Sequence, residues 1–169
     1  MKILDYLENE PEYVQAVAGF MIDGDKVLLG LRKKVSNNLG ENQYAGIGGK
    51  IEEGESADNC LIREFKEEIE VDLVKFEKMG RARFLNPFNP QWNMAVDYFV
   101  VSEWMDEPKE TEVIKPVWFN KEAIPFDQMF RDNKYWLPNL LKAEHFDGIF
   151  LYGEDHEVAD YRLEIIDKD

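Results

Sequence analysis

The chain has 169 residues, with 20 Lys and Arg against 35 Asp and Glu, a formal net charge of −15 with histidine neutral. That length fits one domain with a core of its own, and 44% hydrophobic content with 13% aromatics excludes a disordered acidic chain, because such a sequence can bury enough surface to offset chain entropy. The charge argues against docking on a nucleic-acid backbone or an anionic membrane, both of which call for clustered Lys and Arg.

The first dozen residues carry Asp5, Glu8, Glu10 and Glu12 and no apolar run of signal-peptide length. Residues 1–12 therefore read as a short acidic, solubilising extension of a single domain spanning 1–169. No stretch reaches the roughly 20 apolar residues that cross a bilayer. Tyr13 to Ile22 is apolar and predicts a strand, Asp23-Gly24-Asp25-Lys26 a turn, and Val27 to Leu31 the returning strand of a hairpin. Lys33 to Gln43 is polar and reads as an exposed loop. Ser56 is a good N-cap, and Leu61, Phe65 and Ile69 recur four residues apart, which predicts a helix over Ser56–Ile69 with one buried stripe. Its Cys60 is the sole cysteine, so no internal disulfide forms and a reducing cytoplasm is the simplest home.

Further strands are expected at Phe76–Leu85, Trp92–Val100 and Ile114–Phe119, with the prolines of Asn86–Pro90 enforcing a loop between the first two. Trp118 reads as core. Asn133 to Glu144 has helical spacing, but Pro138 limits it to a kinked helix or two short turns. Gly148–Tyr152 and Ala159–Ile166 suggest a closing strand pair around Gly153-Glu154-Asp155. Strands and helices in this order predict an α/β or α+β fold with a mixed sheet. His145 and His156 lie far from the cysteine and suggest no zinc site.

The stretch with chemical content is Gly48-Gly49-Lys50-Ile51-Glu52-Glu53-Gly54-Glu55, followed by Arg63-Glu64-Phe65-Lys66-Glu67-Glu68. On a helix, Glu64, Glu67 and Glu68 stand at i, i+3 and i+4, on one face, where like charges repel. A cation between them removes that cost, and oxygen-rich clusters suit the hard ions Mg²⁺ and Mn²⁺, which in turn hold phosphates. Arg63 can grip a carboxylate with two parallel bonds. A solvated acidic helix face is the bland alternative. Spacing weighs against it. Gly49, five residues, Glu55, seven more and then Arg63-Glu64-Phe65-Lys66-Glu67-Glu68-Ile69-Glu70-Val71 resembles the Nudix box, G-x5-E-x7-R-E-U-x-E-E-x-G-U with U a bulky aliphatic. Every charged position is present. Phe65 departs from an aliphatic, and Glu70 replaces a helix-ending glycine, whose left-handed conformation costs another residue about 1 kcal/mol.

The resemblance implies an α/β/α sandwich around a mixed sheet, with a catalytic loop-helix-loop, and hydrolysis of a nucleoside diphosphate linked to another group. It further implies that Glu64, Glu67, Glu68 and the Gly48 carbonyl bind Mg²⁺ (Mn²⁺ being the alternative), that Glu67 or Glu68 deprotonates water, and that Arg63 and Glu55 hold the loop. Arg32, Gly49 and Lys50 would face the substrate. Pro116–Phe119, Ile124–Phe130 and Tyr135–Pro138 resemble the MutT-type branch that acts on oxidised purine nucleoside triphosphates. By that pattern Phe130 stands where a Trp stacks on the base and Asp132 and Asn133 where two adjacent Asp read its edge, so that only Asp132 is kept and Asn133 either substitutes or selects another base, while Ala45 stands where a polar reader is usual and Val113 where a further metal-binding carboxylate is usual, with Glu110 and Glu112 nearby.

The leading expectation is therefore a Mg²⁺-dependent enzyme releasing nucleoside monophosphate and pyrophosphate, with 8-oxo-dGTP-type nucleotides as the suggested substrate. The alternatives are a Nudix hydrolase of a nucleotide sugar, dinucleotide or capped RNA end, and a non-catalytic nucleotide-binding regulator. The expected partner is a small-molecule nucleotide, with no nucleic acid or membrane, bound by a monomer or a homodimer.

Overall fold

In the computed structural model, which describes residues 1–33 and 41–167, strands and helices follow the two hydrophobic periodicities of the chain. A single turn, α1 (Leu4–Leu7), precedes the hairpin β1 (Val14–Asp23) and β2 (Lys26–Arg32). Two short strands follow, β3 (Tyr44–Ala45) and β4 (Ile47–Lys50), then helix α2 (Ala57–Ile69). The long strands β5 (Asp72–Leu85) and β6 (Met94–Met105) form the centre, and β7 (Ile114–Asn120), α3 (Asn133–Leu141), β8 (His145–Tyr152) and β9 (Val158–Ile166) complete the chain. The sheet runs β3-β2-β1-β6-β5-β8-β9, with β4 added to β1 and β7 to β2. The β1–β6 and β5–β8 pairs are parallel and the others antiparallel, so the sheet is mixed.

One face packs on α2, with Val17, Met21, Phe99 and Val101 against Cys60, Leu61, Phe65 and Ile69. The other packs on α3, with Phe20, Ala82, Tyr98 and Phe150 against Trp136, Leu137 and Leu140. The expected sandwich is what this alternation produces. A third cluster differs from expectation. Ile3 is 1% exposed and packs with Leu85, Ile149 and Leu151, while its N–H donates to Asp160 Oδ2 at 2.9 Å. Glu10 accepts from Tyr13 and Arg83. The acidic N-terminal segment is docked on the sheet rather than serving as solvated surface alone.

Three other expectations change. The central strands extend beyond their sequence signals, because the added residues 72–75 and 101–105 are largely polar or exposed and carry no clean alternation, while Trp92 belongs to a short 3-10 turn, Pro90–Trp92, and β6 starts after it at Met94. Of the two alternatives for α3 the two short turns are excluded, since it is one helix with Pro138 inside it, and it stops at Leu141, with Ala143 at φ 62° beyond it. Trp118 is 37% exposed on β7, 6.0 Å from Trp104, and is not core. The polar segment Lys33–Gln43 lies mostly outside the described residues.

Helix α2 starts as its sequence dictates, with Ser56 accepting the Asn59 N–H at 3.1 Å. Its far end satisfies the orphan carbonyls from outside: the Thr111 hydroxyl donates to Glu68 O at 2.8 Å and the Lys109 N–H to Ile69 O at 2.9 Å. Glu70 takes the left-handed conformation itself, at φ 57° and ψ 39°. Glu70→Gly is therefore expected to stabilise the fold by about 1 kcal/mol, seen as a higher midpoint in thermal denaturation with hydrolysis unchanged.

Candidate active site

The acidic face of α2 meets the edge of the sheet at β4. Strand β4 pairs with β1, Gly48 opposite Ala18 and Gly49 opposite Val17. A Cβ on Gly48 would lie 1.9 Å from Val17 O, and one on Gly49 would lie 2.6 Å from Glu64 Oε1. The glycine pair thus lets the strand close on its neighbour on one side and on the Glu64 carboxylate on the other. The Gly48 N–H donates to Glu68 Oε2 at 3.3 Å, which ties the next turn of the helix to the same strand.

Arg63 is the hub of the loop and helix. Its Nε and Nη2 donate to the two oxygens of Glu55 at 2.7 and 2.9 Å, the forked geometry that guanidinium and carboxylate share. Nη1 donates to Glu64 Oε1 at 2.9 Å and Glu67 Oε2 at 3.2 Å, and Nη2 also reaches Lys50 O at 3.3 Å. Arg63 holds the Glu55 carboxyl down to about 2. The Lys50 side chain is exposed, so this residue contributes its carbonyl to the hub. Cys60 lies beneath, its thiol pushed up to about 12, chiefly by burial, and directed at the Lys50 and Gly49 carbonyls.

The remaining carboxyls are under-compensated. Burial pushes Glu68 up to about 8, reinforced by Glu64, against which act the Arg32 charge and the Gly48 N–H. Burial raises Glu64 as well, against Arg63. Arg32, at the end of β2 opposite Ile114, is itself lowered by burial, with Glu68 opposing; a half-buried guanidinium thus stands within electrostatic reach of Glu68. Glu67 is the exposed member, with 59% of its side chain open.

Two oxygen-only ligands, Glu64 buried and Glu68 half-buried, with too little positive charge beside them fit a hard divalent cation. The side chains do not form a ready-made cage, since among the described residues no three His, Cys, Asp or Glu groups are placed to hold an ion. The reason is visible in the bonding: Arg63 occupies Glu64 and Glu67, and Glu68 is turned to the Gly48 N–H. Of the acids near Val113, Glu110 is paired with Lys33.

The expected base-reading residues sit on the other face of the sheet, at the start of α3, whose first residue is Asn133. Phe130 is half-buried, and Asn133 Nδ2 donates to Phe130 O at 3.0 Å. Asp132, 4% exposed, accepts from Trp136 Nε1 at 2.7 Å and from the Tyr152 hydroxyl, and its own N–H donates to Tyr152 Oη at 3.0 Å. Burial raises the Asp132 carboxyl, against these donors. Tyr152 and Thr111 carry no sequence signal for these roles, because their partners lie 20 and 43 residues away in the chain.

The Nudix domain profile matches residues 12–140, and the chain belongs to the Nudix family of hydrolases. It is 31% identical over 147 residues to the oxidized purine nucleoside triphosphate hydrolase of Mus musculus, covering 87% of this chain and 92% of the relative. It is 27% identical over 119 residues to the NAD-capped RNA hydrolase NudC of Pseudomonas aeruginosa (strain LESB58), covering 70% of this chain and 40% of that relative. Among solved structures the MutT protein of Bacillus halodurans superposes with a TM-score of 0.73 at 23% identity, over 89% of this chain and 97% of that one; the likeness is one of fold. Among the described residues no helix is long and apolar enough to cross a membrane.

Proposed function

We propose that residues 1–169 form one cytoplasmic catalytic domain that hydrolyses nucleoside triphosphates to nucleoside monophosphate and pyrophosphate, with Mg²⁺ as cofactor and oxidised purine nucleotides as substrate class. The observation that carries this reading is the pair of charge-deficient carboxyls, buried Glu64 and half-buried Glu68, held against Gly49 and Gly48. Glu64, Glu67, Glu68 and the Gly48 carbonyl would hold the ion, and Mn²⁺ suits the same oxygens. A divalent ion there supplies charge neutralisation of the polyphosphate and a water of lowered pKa.

The protein's own part is positional and acid–base. Arg63 locks the loop to the helix through Glu55, and keeps Glu64 and Glu67 oriented. Glu68, tied to β4 by the Gly48 N–H and raised by burial while no ion offsets its charge, is the carboxyl placed to accept a proton from water once a cation lets it ionise. Arg32 provides a half-buried cation within electrostatic reach of Glu68 for a phosphate oxygen. For the base, Phe130 offers a ring face and Asn133 a neutral donor and acceptor. Asp132 is held by Tyr152 and Trp136, so its part is to position the turn that presents Phe130 and Asn133. The similarity to a hydrolase of oxidized purine nucleoside triphosphates over most of both chains supports the same reading.

The test is a kcat/KM comparison of 8-oxo-dGTP, the four ordinary dNTPs, a nucleotide sugar, a dinucleotide and an NAD-capped RNA, with Mg²⁺ or Mn²⁺ and with the phosphate products identified. An oxidised purine triphosphate is expected to lead and to release pyrophosphate. A pyrimidine, sugar nucleotide or capped RNA in first place overturns the base assignment, and release of inorganic phosphate overturns the cleavage position.

A further inference from the structure

The two ends of the sheet are unlike. At one end β3 is only two residues long, and β7, added to β2, is seven residues long and interrupted by Pro116, so neither offers a long unpaired backbone. At the other, β9 runs from Val158 to Ile166, and no described strand pairs with its outer side. Its register with β8 is uninterrupted from Leu151↔Asp160 to His145↔Ile166. A regular outer edge of this length is a template for another strand. It also carries apolar side chains in the open: Tyr161 is 43%, Ile165 42% and Ile166 45% exposed. Tyr161 is held in place, its ring 4.3 Å from that of Tyr135 on α3.

We propose that β9 pairs antiparallel with β9 of a second copy of this chain, about a two-fold axis through Leu163, joining two sheets into one. Register selects this arrangement. A two-fold axis perpendicular to the sheet keeps each face continuous, so it must pass through a residue of the strand and pair positions of like parity. Centred on Arg162 the pairing sets Arg162 against itself and Asp160 against Glu164; centred on Glu164 it sets that carboxylate against itself. Centred on Tyr161 it leaves both isoleucines beyond the ladder. Centred on Leu163, Arg162 faces Glu164 of the other copy twice over, Tyr161 faces Ile165 twice, and Leu163 meets itself.

Arg162 and Glu164 are both exposed and make no ion pair among the described residues. Directly opposed side chains across such a ladder are close enough for opposite charges to attract and like charges to repel. The partner is thus recognised by the same strand that recognises it, and a foreign strand lacking this charge order fits less well.

Light scattering coupled to gel filtration tests the proposal on the full chain at physiological salt. With rising concentration the mass is expected to climb from 19.8 kDa toward twice that value. Arg162→Glu and Glu164→Arg should each return the protein to monomer, since each creates two like-charge pairs, and the double charge swap should restore the dimer. Leu163→Cys should form an intermolecular disulfide under mild oxidation and Ile165→Cys should not, with nucleotide hydrolysis reporting that every variant is folded. A mass that stays at one chain, or a dimer indifferent to the single charge reversals, overturns the proposal. So does crosslinking at position 165 in preference to 163.

Discussion

Glu68→Gln is expected to lower turnover by about 10²- to 10⁴-fold, the usual span for a general base, while making the metal-free protein more stable at alkaline pH. Both effects have one cause. The Glu68 carboxyl is half-buried near Glu64 and is pushed up to about 8, so ionising it in the folded state costs free energy that the unfolded chain does not bear. The sign follows from linkage. An acid whose folded pKa is raised leaves stability intact below the usual carboxylate range and removes it as pH rises toward about 8. Glutamine keeps the size of the side chain and an oxygen for the Gly48 N–H, and it never ionises. The variant's thermal midpoint should therefore exceed the parent's at pH 8 to 9 and converge with it below the usual carboxylate range. Mg²⁺ should reverse the order, raising the parent's midpoint more than the variant's, because an ion bound by the folded state stabilises it by mass action. Its binding by the parent near neutral pH should also release protons. Near-normal turnover in the variant would sink the assignment of Glu68 to the chemistry, and equal stabilisation of both proteins by Mg²⁺ would sink its assignment to the ion.

The parts of this site that could be read from the residue order are the local ones. Ser56 announces the start of α2, Leu61, Phe65 and Ile69 declare its buried face, and the three-four spacing of Glu64, Glu67 and Glu68 follows from helical geometry alone. The hairpin β1–β2 is legible for the same reason, since Asp23-Gly24-Asp25 and its flanking apolar runs are contiguous. What escapes is set by distant partners. Ile3 sits in an acidic segment with no pattern of its own, and only Leu85, Ile149 and Leu151 make it core. Asp132 looks like a free reader of a ligand until Tyr152, twenty residues on, is seen to hold it. Glu70 shows the opposite failure. Its intrinsic preference argues against the left-handed conformation, yet α2 ends there at φ 57°, because Thr111 and Lys109 bind the last carbonyls of the helix from outside. The same is true of Pro138, whose helix is kept continuous while Trp136, Leu137 and Leu140 are anchored in the core.

Arg63→Lys is expected to cost about a hundredfold in kcat, with KM changed far less, because the residue aligns the catalytic groups and the loss is one of positioning. Lysine preserves the charge and removes the fork. One ammonium cannot reproduce the parallel pair of bonds to Glu55 together with the bridge to Glu64 and Glu67. Strand and helix would then be joined chiefly by the Gly48 N–H on Glu68 and by the Cys60 thiol on the Lys50 carbonyl, since the Glu55 contact to the Glu52 N–H is internal to the loop. The pH dependence of stability runs opposite to that of Glu68. Arg63 holds Glu55 down to about 2, and an acid with a depressed folded pKa contributes stability above the usual carboxylate range that is lost as pH falls through it. The difference in thermal midpoint between parent and variant should accordingly be full at neutral pH and shrink on acidification toward pH 2. Glu55→Gln should resemble Arg63→Lys in kinetics, and the double variant should be barely worse than either, since groups that act as one unit are not additive. Fully additive losses would mean that Arg63 acts on the substrate independently of Glu55, and would move it from the scaffold of the site into its chemistry.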